Sequence, residues 1–355
     1  MYNGIVNVYK EPGFTSHDVV AKLRGIYGQK KVGHTGTLDP MAEGVLIVVL
    51  GQATKLSDLI LTSRKQYIAT MKLGVSTETD DTTGEKQKLC DGDKLRALVS
   101  DEKELRNKLE SLFKEFLGKS MQVPPLYSAI KINGKKLYEY AREGIEIKPD
   151  ARPVEIYSLE LMDVEISMAD STSADNLNSD NVSAMDCYVR FKVDCSKGTY
   201  IRALIRDMGE KLGVGAAMSA LVRDEINGIY AKDGLRIEEL QKLKEEGRLE
   251  ETVLLIDKLL SDYPSVRVKK SGEKLLANGN RLRREDIEVL RGNEISGDNE
   301  MSSDIEMSDN AMISVETDMQ ALDKVDFFRV YLGDELKALY TYDKQKRDYK
   351  VFKML

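Results

Sequence analysis

Apolar positions recur along the chain at two spacings, and the spacing decides which element is expected. A short run at 5–8 predicts a half-buried strand. At 17–27, Val19, Val20, Leu23, Ile26 and Tyr27 fall on one helical face, with Ser16 placed as N-cap and Gly28 as the stop. Residues 45–50 read as a buried strand and 67–73 as another, whereas 154–166 and 187–193 alternate apolar and polar, as sheet strands with one wet face do. Helices are expected at 104–117, 135–142, 202–212 and 237–245, most of them ended by a glycine. Strands and helices interleave without a regular βαβ order, which favours an α+β fold over a doubly wound sheet.

Beyond about residue 250 the pattern changes to short apolar bursts at 266–268, 287–290, 327–332 and 336–342, separated by glycine and charged turns. A small β-rich C-terminal domain fits this pattern. The boundary is expected between 246 and 264, where Asp262-Tyr263-Pro264 punctuates the chain, giving domains of 1–255 and 256–355. Two stretches, about 169–185 and 293–320, lack usable periodicity and are rich in Ser, Asp, Asn, Met and Thr. That is the composition of mobile surface loops, and both read as acidic insertions into folded domains.

Length and charge refine the picture. A chain of 355 residues exceeds the usual single-domain size. Its formal net charge of −7 argues at face value against a nucleic-acid partner. The acidity is uneven, however. Residues 154–189 hold eight acidic side chains and 293–323 hold nine, with no Lys or Arg in either stretch. The remainder is net positive by ten, which suits a polyanion. Three cysteines form no ligand spacing and cannot all pair, so a reduced, cytoplasmic chain without a structural disulfide is expected. The N-terminal residues show no signal-peptide pattern, and no apolar run is long enough to span a bilayer, so no membrane association is expected. With only His17 and His34 available, a His/Cys metal site is not expected either.

Candidate chemistry starts at Gly33-His34-Thr35-Gly36-Thr37-Leu38-Asp39-Pro40-Met41-Ala42-Glu43-Gly44, which packs three glycines and a proline around Asp39. Glycine permits close backbone approach, and Pro40 biases Asp39 towards an extended conformation, so the carboxylate sits on a sharply shaped loop at a sheet edge. From this segment alone, a solvated connector built from ordinary turn residues explains it as well. Three other readings are open at this point. Asp39 and Glu43 could be the carboxylate pair of a glycoside hydrolase, although the chain has no tryptophan for a sugar groove. The glycines could cradle phosphate, although a P-loop's Gly-Lys-Ser/Thr ending is absent. A non-catalytic RNA-binding protein could use the same surface without chemistry.

Further clusters join the loop: Lys65-Gln66-Tyr67, Pro124-Pro125-Leu126-Tyr127-Ser128-Ala129-Ile130-Lys131, and Ser196-Lys197-Gly198-Thr199-Tyr200-Ile201-Arg202. Together with 33–44 they resemble the bacterial tRNA pseudouridine synthase B (TruB) family, nearly end to end outside the acidic insertions. Residues 135–144 look like that family's RNA-clasping insertion. The resemblance implies a catalytic domain on a mixed, largely antiparallel sheet, followed by a small RNA-binding β-barrel of PUA type. It also implies isomerisation of the T-loop uridine, position 55 in tRNA numbering, to pseudouridine. By position it places the essential carboxylate on Asp39, the base-stacking ring on Tyr67, an active-site tyrosine and arginine on Tyr200 and Arg202, an apolar wall on Leu221, and a histidine beside the flipped-out nucleotides on His34. Where the family commonly has Lys-Pro-x-Gly, this chain reads Lys10-Glu11-Pro12-Gly13.

The chemistry suits these residue types. Converting an N-glycoside into a C-glycoside breaks the bond at C1′, turns the base and rejoins it through C5, with no redox change and no phosphate. One carboxylate can attack C1′, take the 2′ proton or stabilise a cationic sugar, and an acid/base must later remove the C5 proton. An arginine can orient that carboxylate as a planar cation, and a flat ring lets an extruded uracil turn while stacked. The expectation is a cofactor-free, monomeric tRNA-modifying isomerase that binds the T arm by base flipping, with affinity falling as salt rises.

Overall fold

The computed structural model describes residues 1–61, 64–89, 92–168, 185–260, 263–290 and 319–355. Both acidic stretches fall outside them except at their ends. Met185 opens a strand, and Met319 packs into the C-terminal core beside Leu322.

A nine-stranded sheet organises residues 4–230. Its path runs through strands Gly4–Lys10, Glu43–Leu50, Ala216–Ile226, Lys65–Leu73, Met185–Cys195, Arg152–Met168 and Gly118–Gln122, with Ile229–Tyr230 and Val32–His34 attached at the sides. Neighbours are antiparallel except where Glu43 and Gly44 pair with Val222 and Arg223. The sheet is therefore mixed and largely antiparallel, within an α+β fold. Helices Glu102–Phe116 and Ile201–Leu212 cover one face through Leu105, Leu109, Leu112, Phe113, Leu204, Ile205 and Met208, packed on Met71, Val189 and Phe191. Helices Ser16–Tyr27 and Ile237–Glu245 close another cluster over Val6, Val8, Leu46 and Val48.

Several expectations are met closely. All five apolar positions of the first helix are buried, and Gly28 stops it in the left-handed conformation at φ 61°. Residues 45–50 lie in a buried strand and 187–193 alternates inside Met185–Cys195, whereas 67–73, expected buried, alternates buried and half-buried positions because Ile68, Thr70 and Lys72 share the less covered face. Two other details differ. The N-cap is Thr15, which forms a reciprocal capping box with Asp18, while Ser16 turns inward to serve another loop. The first strand is buried on both faces, because Val6 and Val8 meet the helix while Ile5 meets Ile226, Ile229 and Ala231. The strand Ala216–Ile226, in the middle of the sheet, had no sequence expectation, since Arg223-Asp224-Glu225 reads as surface.

The C-terminal residues form a separate five-stranded sheet, ordered Ile287–Leu290, Ser265–Val268, Phe328–Leu332, Glu335–Asp343, Asp348–Met354. Among the described residues it is open, and a single bridge between Leu282 and Tyr349 reaches across. Its core is Val266, Phe328, Val330, Tyr340 and Tyr349. Cys187 and Cys195 are buried free thiols, and Cys90 lies outside the described residues. No described helix is long and apolar enough to cross a membrane.

Candidate active site

The loop after strand Val32–His34 is clamped from below before it presents anything. Lys10 is fully buried, and its ammonium donates to the carbonyls of Glu11 (3.1 Å), Pro40 (3.1 Å) and Ala42 (2.5 Å). Gly13 N–H donates to the same Pro40 carbonyl at 2.9 Å, so the Lys10-Glu11-Pro12-Gly13 turn still grips the loop despite its altered order. Ser16 Oγ accepts from Leu38 N–H at 2.9 Å. Arg223, also buried, donates to Val45 O (2.7 Å) and Gly36 O (3.2 Å). Burial pushes Lys10 down to about 8, with the Asp39 carboxylate acting in the opposite direction. Gly44 has φ 101°, and a Cβ there would stand 2.3 Å from Arg223 O, so glycine alone lets strands Glu43–Leu50 and Ala216–Ile226 meet.

Held in this way, Asp39 offers its carboxylate to a cleft of about 820 Å³ whose walls include Tyr67, Tyr200, Arg202 and Leu221. Arg202 projects from the first turn of helix Ile201–Leu212 and grips Asp39 with a fork: Nε to Oδ2 at 2.8 Å and Nη2 to Oδ1 at 3.1 Å. Its remaining donors reach Thr79 O (2.9 Å) and Tyr127 O (3.0 Å). The Arg202 side chain is 6 % exposed and that of Asp39 33 %, so the guanidinium is a fixed part of the floor while the carboxylate faces incoming substrate.

Tyr67 and Leu221 come from adjacent strands of the sheet, and both are buried at its surface against the cleft. Burial pushes the Tyr67 hydroxyl up to about 12, with the neighbouring Arg223 guanidinium acting in the opposite direction. Tyr200 precedes the helix, and its backbone is fixed by a two-way bond with the Gln122 amide: Tyr200 N–H to Oε1 at 2.9 Å and Nε2 to Tyr200 O at 3.1 Å. Burial raises its hydroxyl too.

Five of the six expected site residues thus share one cleft. His34 does not line it. Its ring meets that of His17 edge-on at 5.5 Å, its Nδ1 is buried without a hydrogen-bond partner, and burial together with His17 and Arg223 lowers its pKa.

Four residues at the site were not singled out from sequence for chemistry. Asp81 stands 3.9 Å from Arg202 Nη1, and its other oxygen accepts from Thr79 Oγ1 (2.7 Å), Thr83 N–H (3.0 Å) and Thr83 Oγ1 (2.6 Å). Lys65 lines the cleft and is pushed down to about 8, by burial first and then by Arg223. Lys10 and Arg223 lie beneath the loop. The Asp-Thr-Thr-Gly run at 81–84 was a legible turn signal for the first of these. A buried lysine or arginine has no comparable signature. Among the described residues no group of three or more His, Cys, Asp or Glu side chains is placed to hold a metal ion.

Comparison with known proteins agrees with this geometry. Residues 24–201 match the model of the TruB family pseudouridylate synthase, N-terminal domain. The tRNA pseudouridine synthase B of Clostridium tetani is 38% identical over 294 residues, covering 82% of this chain and 90% of that protein. Its counterpart in Alkaliphilus oremlandii is 42% identical over 280 residues, covering 79% and 83%. Among solved structures, a Cbf5-Nop10-Gar1 complex superposes with a TM-score of 0.63 at 25% identity, covering 99% of this chain and 84% of that one. The family match spans half of the chain and such relatives cover most of it, so the chain belongs to the TruB family of pseudouridylate synthases.

Proposed function

We propose that this pseudouridine synthase isomerises the T-loop uridine of tRNA, position 55 in tRNA numbering, with Asp39 as the essential carboxylate. The observation that carries the assignment of Asp39 is its forked pairing with Arg202 on the floor of a cleft walled by Tyr67 and Leu221. A uracil flipped into this cleft stacks on Tyr67 while its ribose meets Asp39. The C1′–N1 bond breaks, the base turns on the ring, C1′–C5 forms, the C5 proton leaves and N1 gains a proton. The reaction is an isomerisation, so no electron donor or group carrier is called for.

Residue chemistry narrows who does what. With its hydroxyl pushed up to about 12, Tyr67 stays protonated at neutral pH and serves as a plate for the base. Asp81 shares the cleft, but its side chain is only 8 % exposed against 33 % for Asp39, and three hydrogen bonds to one oxygen hold it inside its own turn. Asp39 is therefore the carboxylate with capacity for the sugar and for the C5 proton. Tyr200 and Leu221 pack around the base, and His34, on the strand leading into the loop, meets the flanking nucleotides. The open C-terminal sheet acts as an RNA-binding unit of PUA type within a domain of 256–355, beside a catalytic domain of 1–255. The chain works as a cytoplasmic monomer without a cofactor.

Tritium release from T-arm RNA carrying C5-labelled uridine tests this directly. Wild type is expected to release label and Asp39→Asn to release none. Equal release by both would remove Asp39 from the reaction.

A further inference from the structure

Helix Ile201–Leu212 carries a second arginine one turn beyond Arg202. Residues four apart project from the same helical face, about 6 Å apart along the axis. Both arginines reach the same two segments of chain, 79–83 and 123–127. Arg202 donates to Thr79 O and Tyr127 O. Arg206 donates from Nη1 to Asp80 Oδ2 at 3.0 Å and from Nη2 to Val123 O at 3.0 Å, and it also holds Asp207 Oδ1 at 2.8 and 2.9 Å. Only Arg202 touches Asp39. Arg206 and Asp80 face a different hollow, bounded by Glu78, Glu146 and Lys148.

The turn between the arginines is built to transmit position. Asp80 adopts φ 60°, the left-handed region that aspartate tolerates better than most residues. Its carbonyl accepts from Met218 N–H at 3.0 Å, and Met218 O accepts from Thr82 N–H at 2.9 Å, so the turn is docked on the mid-sheet strand Ala216–Ile226. Asp81 braces it internally through Thr79 and Thr83. Adjacent carboxylates thus meet successive arginines: Asp80 with Arg206, and Asp81 facing Arg202.

We propose that Arg206 and Asp80 are a positioning pair for the isomerisation, holding the 79–83 turn and the 123–127 segment at the separation from which Arg202 presents its fork to Asp39. The proposal rests on the reading of Asp39 and Arg202 given above. Without the pair, the side-chain tie between the two segments whose carbonyls anchor Arg202 is lost, and their separation is held less tightly. A misplacement of about 1 Å at a reacting group lowers rate by roughly 100-fold.

The test uses the full-length chain, with Asp80→Asn, Arg206→Gln, Arg206→Lys and Asp39→Asn assayed beside wild type on T-arm RNA, together with melting temperature. Asparagine keeps the shape of Asp80 and its tolerance of the left-handed backbone, so that variant reports on charge even where Arg206→Gln fails to fold. Asp80→Asn and Arg206→Gln are expected to lower kcat by roughly 10- to 100-fold with KM changed by less than about threefold, and Arg206→Lys to recover part of the loss. A kcat within about twofold of wild type, a loss confined to KM, or a loss that tracks melting temperature overturns the proposal. A wild type as inactive as Asp39→Asn overturns the reading of the site and the pair with it, whereas an active wild type with unaffected variants overturns the pair alone.

Discussion

Replacing Arg202 by lysine keeps the charge and removes the fork. In the structure the guanidinium divides its three nitrogens among four acceptors: Nε to Asp39 Oδ2 (2.8 Å), Nη2 to both Asp39 Oδ1 (3.1 Å) and Tyr127 O (3.0 Å), and Nη1 to Thr79 O (2.9 Å). A lysine ammonium offers its three protons from one point and cannot span both carboxylate oxygens and both carbonyls. At least one bond to Asp39 is lost. Hydrogen bonds to charged groups contribute about 1.5–3 kcal/mol, and the lower end applies because the Asp39 side chain is 33 % exposed and water can replace the missing donor. About 1.5 kcal/mol corresponds to roughly tenfold in rate, and loosened orientation of the carboxylate extends the loss towards about 100-fold. Tritium release under single-turnover conditions with saturating T-arm RNA measures this, with melting curves as the folding control. A folded Arg202→Lys enzyme within about twofold of wild type would refute the argument that fork geometry orients Asp39.

Other expectations follow from neighbouring residues. Lys10→Met keeps the volume but removes the ammonium that the Glu11, Pro40 and Ala42 carbonyls share, Pro40 keeping only its bond from Gly13 N–H, so stability falls by about 2–4 kcal/mol, read by denaturant unfolding, and turnover falls with it. Gly44→Ala places a methyl 2.3 Å from Arg223 O at a positive φ, and soluble folded yield drops sharply; normal yield and melting would contradict the close approach. Burial raises Asp80 to about 6, with Arg206 and Arg202 opposing the shift and Asp207 adding to it. The folded chain therefore holds this proton more tightly than the unfolded one, and the stability Asp80 lends at low pH is lost as pH rises through about 6. Asp80→Asn should accordingly melt no lower than wild type at pH ~7.5 and compare less favourably at pH ~5, a trend that melting curves at the two values check. Strands Arg152–Met168 and Met185–Cys195 remain in register out to Met168 and Met185, so replacing residues 171–183 by a short turn leaves turnover largely unchanged; an inactive but folded product would give that stretch a role in function.

Local pattern determined a good deal of this protein. The face of the first helix, its glycine stop, the buried run at 45–50 and the alternation at 187–193 follow from the spacing of apolar positions, which records on which side burial occurs. The motifs around Asp39, Tyr67 and Arg202 pointed to the family, because each packs unusual residue types into a few positions. Only the tertiary structure decided what burial and distance decide. Asp39 and Arg202 lie 163 residues apart in the chain and meet because the mixed sheet brings the loop and the helix to one cleft. Lys10 and Arg223 carry no sequence signal of burial, yet both are buried, since carbonyls from other segments surround them with acceptors. The strand Ala216–Ile226 likewise had no expectation, because Arg223-Asp224-Glu225 interrupt its apolar pattern and its place is set by its partner strands. Thr15 and Ser16 are interchangeable by propensity, and the choice of cap between them fell to Leu38, whose backbone claims the serine. A charged side chain carries no mark of its future partners, so wherever long-range acceptors replace water the fold alone assigns its place.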